Sequence, residues 1–258
     1  MNRKGVVVGN WKMELSHKAS VGLAKSLASM AEDMKSGVDV VVCPSFVSLG
    51  AVKDILKDSL YQIGAQHVHY KERGAYTGEV SVVQLAGLTS WCLIGHSEHR
   101  ALSRQTDEEI AVASGLLLQH GISPVLCFGE NAGEREAGET VDVVMRQLGY
   151  WLEHTNRVEA IKTTLAYEPI WAIGTGVLPN PDDVAEVVLS IRKMIAGRFD
   201  AEAAGRVCIL YGGSVKPETA GQYVGGPMAD GVLVGGASLH PRQFLDIVKE
   251  VDSKLVSE

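Results

Sequence analysis

The chain has 258 residues, of which 46% are hydrophobic, 21% charged and 6% aromatic. This composition excludes disordered and fibrous classes and can supply the sizeable core that a chain of this length needs. Against 24 Lys and Arg stand 31 Asp and Glu, a net charge of −7, which makes nucleic acid and anionic membranes poor electrostatic partners.

In chain order, short apolar, β-branched runs occupy residues 5–10, 38–43, 60–65, 90–94, 123–128, 163–167, 206–211 and 230–234. Most lack alternation, as expected of strands buried on both faces of a parallel sheet. Between them lie segments with helical spacing. Leu23, Leu27, Met30 and Met34 precede the second run; Val184, Val187, Val188, Ile191 and Ile195 precede the seventh. Eight β-then-α units predict an α/β protein, a single (β/α)8 barrel domain over residues 1–258. An open doubly wound sheet is the alternative, but the first run ends in Gly9-Asn10-Trp11-Lys12 and lacks the Gly-rich fingerprint of that class. Cys43, Cys92, Cys127 and Cys208 form no CxxC pair and read as buried, reduced thiols. The stretch from Met1 to Val8 has neither a signal-peptide core nor a cleavage site, and no run approaches the ~18 apolar residues of a membrane span. The expected location is cytoplasmic.

Reactive groups of such a barrel lie at the carboxyl ends of its strands. Those positions hold Asn10, Lys12, Gln66, His96, Ser97, Glu98, Glu130 and Glu168, with glycine pairs Gly212-Gly213 and Gly235-Gly236 after the last two strands. A lysine, a histidine and a carboxylate with late-strand glycines point to acid–base chemistry on a small anionic, phosphorylated molecule. Carboxylate as base and histidine as electrophile suit proton transfer next to a carbonyl.

At these positions the chain resembles the triosephosphate isomerase family. The resemblance is carried by Ala166-Tyr167-Glu168-Pro169-Ile170-Trp171-Ala172-Ile173-Gly174-Thr175-Gly176 and by Gly9-Asn10-Trp11-Lys12-Met13. It continues in Gly74-Ala75-Tyr76-Thr77-Gly78-Glu79, Gly95-His96-Ser97-Glu98, Tyr211-Gly212-Gly213-Ser214-Val215 and Gly235-Gly236-Ala237-Ser238. The resemblance implies interconversion of glyceraldehyde 3-phosphate and dihydroxyacetone phosphate without cofactor or metal. Its catalytic residues here are Glu168 as base, His96 as neutral electrophile, Lys12 balancing substrate charge, and Asn10 supporting Lys12. Phosphate is expected on Lys12 and on the N–H groups of Gly174, Ser214, Gly235 and Gly236, with Glu98 and Ser97 behind the catalytic groups. Residues 169–176 resemble a mobile lid that excludes water from the intermediate. Residues 74–79 resemble a loop that reaches a neighbouring subunit, which implies a homodimer.

The chain departs from the family pattern in three places. Glu14 stands where Asn is usual, and Val177-Leu178-Pro179 forms the carboxyl hinge of the lid. Ser103-Arg104-Gln105-Thr106-Asp107-Glu108 replaces a Phe-Gly-Glu-Ser-Asp-Glu stretch. These changes leave open a related isomerase for four-carbon sugar phosphates. Three other readings carry less weight. A metal-dependent isomerase would draw on His67-Val68-His69, His96, Glu98 and His99; an imine-forming aldolase would need a lysine where Glu168 stands. The third is a non-catalytic phosphate-binding barrel.

Overall fold

A computed structural model describes residues 4–32 and 34–256; the reading of Met1, Asn2 and Arg3 as free of a signal sequence lies outside them. Eight parallel strands close in sequence order into a barrel. They are β1 (Val6–Asn10), β2 (Asp39–Cys43), β3 (Tyr61–Ala65), β4 (Trp91–Ile94), β5 (Ser123–Phe128), β6 (Thr164–Tyr167), β7 (Ile209–Tyr211) and β8 (Gly231–Val234). The larger intervening helices are α1 (His17–Met30), α2 (Leu49–Leu56), α3 (Val82–Leu85), α4 (Ser97–Ser103), α5 (Asp107–Gln119), α6 (Ala132–Glu136) and α7 (Thr140–His154). They continue with α8 (Arg157–Lys162), α9 (Pro181–Arg198), α10 (Ala201–Arg206) and α11 (Pro241–Val256).

The non-alternating strands follow from two cores. Val6, Val8, Val41, Cys43, Trp91, Leu93, Val125, Cys127, Ala166, Leu210 and Leu233 fill the barrel interior. The intervening strand residues, such as Val7, Val40, Val42 and Ile94, pack outward on the helices. Both faces are thus buried at most strand positions, with Asp39, Gln62 and Ser123 only partly so, and polar alternation has little place. The barrel seam needs Gly231, where a Cβ would stand 1.9 Å from the Val6 carbonyl oxygen of β1.

Three sequence expectations shift. β7 starts at Ile209 rather than at residue 206, because α10 runs through Arg206 and the Val207 N–H closes its last turn on the Ala203 carbonyl. Met30 is half exposed and Met34 lies beyond α1, so the buried face of that helix is Ser20, Leu23, Ala24 and Leu27. Cys208 is only partly buried, unlike the other three cysteines. In α9 all five expected residues are buried.

Candidate active site

Glu168 is the first residue after β6 and is held between its neighbours. Its N–H donates to the Phe128 carbonyl at the end of β5 (2.8 Å), and the Gly212 N–H after β7 donates to the Tyr167 carbonyl (2.8 Å). The approach is close enough that a Cβ on Gly129 would sit 1.8 Å from the Glu168 carbonyl oxygen. Gly129 belongs to no motif in the sequence, and its place immediately after β5 is the signal that marks it. Gly212 has a similar part, since a Cβ there would meet the Glu168 side chain at 3.0 Å.

The Glu168 carboxylate is buried and doubly held. Its Oε1 lies 3.1 Å from His96 Nε2, and its Oε2 accepts the Ser97 N–H at 3.0 Å. Burial raises its pKa above the ordinary value, and Glu98 adds to the rise; His96, the Ser97 N–H and Lys12 oppose it. His96 caps the start of α4, where its Nδ1 accepts the Glu98 N–H at 3.3 Å. An accepting Nδ1 carries a lone pair, so the ring proton resides on Nε2 and points to Glu168.

Lys12 adopts φ 50°, a left-handed conformation rare for a residue with a side chain. Its N–H donates to Asn10 Oδ1 (3.0 Å), and its carbonyl accepts from Gln66 Nε2 (2.9 Å), which also reaches the Cys43 carbonyl (2.9 Å). Gln66 is therefore a support for the Lys12 backbone. The Lys12 ammonium pairs with Glu98 Oε1 at 2.5 Å. Glu98, expected only behind the site, thus contacts Lys12 directly.

Asn10, Lys12, His96, Glu168, Ile173 and Gly235 come together around one cleft, with Leu233 as its apolar wall. It opens into a cavity of about 740 Å³ bordered by Lys12, Gly174, Ser214, Gly235 and Gly236. Lys216 and His240, which the sequence did not single out, stand on the rim of that cavity.

Glu130 is buried away from the cleft, beneath residues 169–176. It accepts from Trp171 Nε1 (2.7 Å) and from the Tyr167 hydroxyl (3.1 Å). Pro169–Gly176 therefore rests on the end of β5 through Trp171, and Gly174 and Gly176 have positive φ. Pro181 opens α9 behind the Asn180 cap, and the Pro179 carbonyl accepts the Tyr223 hydroxyl (2.9 Å), so the segment 177–179 is anchored at its carboxyl end.

Residues 74–79 border a separate cavity of about 450 Å³. The neighbouring histidines have partners of other kinds. The His67 ring stacks on His99 with centroids 3.7 Å apart and contacts Glu79 at 3.2 Å; His69 packs on Tyr70 and Tyr76. Glu14 is exposed, and Arg104 has φ 51° at the end of α4.

The triosephosphate isomerase family model matches residues 5–251. The chain belongs to that family. It is 44% identical over 248 residues to a triosephosphate isomerase of Corynebacterium efficiens, covering 95% of both chains. It is 43% identical to that of Carboxydothermus hydrogenoformans (96% of this chain, 98% of the relative) and 41% identical to that of Clostridium perfringens (95% and 99%).

Proposed function

We propose that the chain interconverts glyceraldehyde 3-phosphate and dihydroxyacetone phosphate, with Glu168 moving the proton between adjacent carbons. The observation that carries the reading is the pairing of a buried carboxylate with the Nε2–H of His96, with Lys12 in the same cleft of a triosephosphate isomerase family member.

The geometry supports a definite sequence of events. In the resting site Glu168 occupies both the His96 proton and the Ser97 N–H. A substrate carbonyl oxygen that takes over the His96 donor frees one carboxylate oxygen to face the adjacent C–H. Glu168 then removes that proton while His96 polarises the carbonyl, giving an enediolate whose charge Lys12 balances. Return of the proton to the neighbouring carbon, with His96 passing protons between the two oxygens, completes the isomerisation. The burial that raises the pKa of Glu168 makes it a stronger base. Phosphate is assigned to the 740 Å³ cavity, where Lys12 and the backbone of Gly174, Ser214, Gly235 and Gly236 offer local attraction despite the net charge of −7. Residues 169–176 act as the lid.

A second copy of the chain is the proposed partner. Met13, Val47, Tyr76 and Leu102 are exposed and follow β1, β2, β3 and β4, so four consecutive barrel units present apolar side chains on one side of the mouth. Among the described residues no helix is long and apolar enough to cross a membrane, and the reading expects a cytoplasmic homodimer.

The test is kcat/KM for glyceraldehyde 3-phosphate against four-carbon ketose and aldose phosphates, with chelator present, for the unaltered chain and for Glu168→Asp. The expected outcome is efficient triose isomerisation that falls at least about 100-fold in Glu168→Asp, whose carboxylate is withdrawn by one methylene. Preference for a four-carbon phosphate, or tight phosphoglycolate binding without turnover, would overturn it.

A further inference from the structure

The two ends of the lid segment are joined by a side chain that belongs to neither. Arg135 lies on α6, the short helix after β5 that the Asn131–Glu134 capping box fixes in place. Its guanidinium carbon stands 5.4 Å from the centre of the Trp171 ring, on the amino side of the lid. The same guanidinium pairs with Asp183. Asp183 sits in the first turn of α9, directly after the carboxyl hinge, and its N–H closes that turn on the Asn180 carbonyl. Trp171 is thus held at two points: its Nε1 by buried Glu130 (2.7 Å), and its ring face by the cation.

We infer that Arg135 is a positioning residue for the isomerisation: by bridging Trp171 to Asp183 it fixes both lid hinges to the β5 loop and sets the position in which the lid closes. The inference rests on the assignment of residues 169–176 as the lid. A hydrogen bond at Nε1 leaves the indole free to rock about that contact; a planar cation over the ring removes this freedom, and its second partner ties the opposite hinge to the same point. The arrangement has a chemical consequence. In an enediolate with phosphate on the next carbon, the electron pair either picks up a proton to give product or expels phosphate, breaking the C–O bond and leaving an enol. A lid that closes in the correct place favours the first by excluding water and holding the phosphate in the plane that resists expulsion.

The experiment measures inorganic phosphate released per triose isomerised, together with kcat, KM and Tm. The variants are Arg135→Ala, Arg135→Lys and Asp183→Asn, beside a chain lacking residues 173–176. We expect Arg135→Ala to lower kcat about tenfold and to raise phosphate released per turnover at least about fivefold. Arg135→Lys, which keeps a cation over the indole, should recover most of both, and Asp183→Asn should move both in the same direction as Arg135→Ala by a smaller factor. If the deletion raises phosphate release and Arg135→Ala and Asp183→Asn leave it unchanged, the inference about Arg135 is wrong while the lid stands. A fall in kcat and Tm at constant phosphate release means the same. If the deletion itself leaves phosphate release unchanged, the lid assignment fails and the inference with it.

Discussion

The stacked pair His67 and His99 makes a definite statement about acid stability. Burial pushes the His67 pKa down to about 4; the neighbouring His99 and His69 act in the same direction, and Glu79 opposes them. His99 is also lowered, by burial first and by His96, against Glu79 and Gln105. A histidine whose pKa is lower in the folded state binds fewer protons there than in the unfolded chain. Its contribution is therefore present above the unfolded value near 6.5 and is lost as pH falls from there towards 4. For His67 alone, values of about 6.5 unfolded and about 4 folded make that loss about 2 kcal/mol between pH 7 and pH 5. In a chain of this length the corresponding fall in Tm is about 5 °C. Carboxylates contribute acid lability of their own, so the comparison is with His67→Asn, which removes the titration and keeps a polar side chain. Melting both proteins at fixed concentration at pH 7 and pH 5 isolates the term. The variant should lose about 5 °C less than the unaltered chain. Equal losses would refute the reasoning, because the stacked ring would then be titrating as though it were in water.

Three further outcomes follow from the site and its frame. Gly129→Ala must displace the Glu168 backbone, since the new Cβ falls 1.8 Å from its carbonyl oxygen; kcat should fall at least about 100-fold, and an active, crystallographically unshifted variant would contradict this. As the proposed base, Glu168 must be ionised to work, and burial raises its pKa. The acid limb of kcat/KM should therefore lie above the ordinary glutamate value of about 4.3, with activity lost as pH falls through it; a limb at or below that value in steady-state kinetics counts against Glu168 as base. Arg104→Gly relieves a left-handed backbone at φ 51° and should raise stability by about 0.5 kcal/mol, the relief exceeding the added freedom of the unfolded chain; chemical denaturation measures it.

Much of the barrel is legible in the chain because parallel strands buried on both faces must be apolar throughout. Residues 123–128 coincide with β5, whereas the run from residue 206 does not, because Arg206-Val207-Cys208 reads equally well as the end of a helix. The site is legible to the extent that chemistry has to stand at strand ends: Asn10, Lys12, His96 and Glu168 share one cleft. What escapes is whatever depends on partners distant in sequence. His67 and His69 look like a pair two residues apart, yet each finds a different aromatic partner, and His67 stacks on a ring 32 positions away. Arg135 is one arginine in a charged helix until the fold sets it over Trp171. Gln66 and Glu130 satisfy the strand-end criterion as well as Glu168 does, but hydrogen bonds give them supporting places. Position selects candidates, and only contacts separate a reactive group from a brace.

Among the described residues two non-glycines are left-handed, Lys12 and Arg104, and they illustrate that separation. A left-handed conformation costs a residue with a Cβ about 1–2 kcal/mol. At Lys12 this cost is met on all sides: Asn10 binds the N–H, Gln66 the carbonyl and Glu98 the ammonium. With about 0.5–1.5 kcal/mol from each neutral bond, these contacts match or exceed the strain, so the turn is fixed with a lysine in it. Glycine would remove the strain and also the ammonium, the one lysine or arginine group lining the cleft among the described residues. At Arg104 no comparable set of bonds occurs among the described residues, and the conformation merely ends α4. The same backbone angle therefore has opposite meanings. At Arg104 glycine is the better residue, and relief is expected to stabilise. At Lys12 three side chains from β1, the end of β3 and α4 hold a strained lysine in place, and such convergence is expected only where the charge has to arrive at one point.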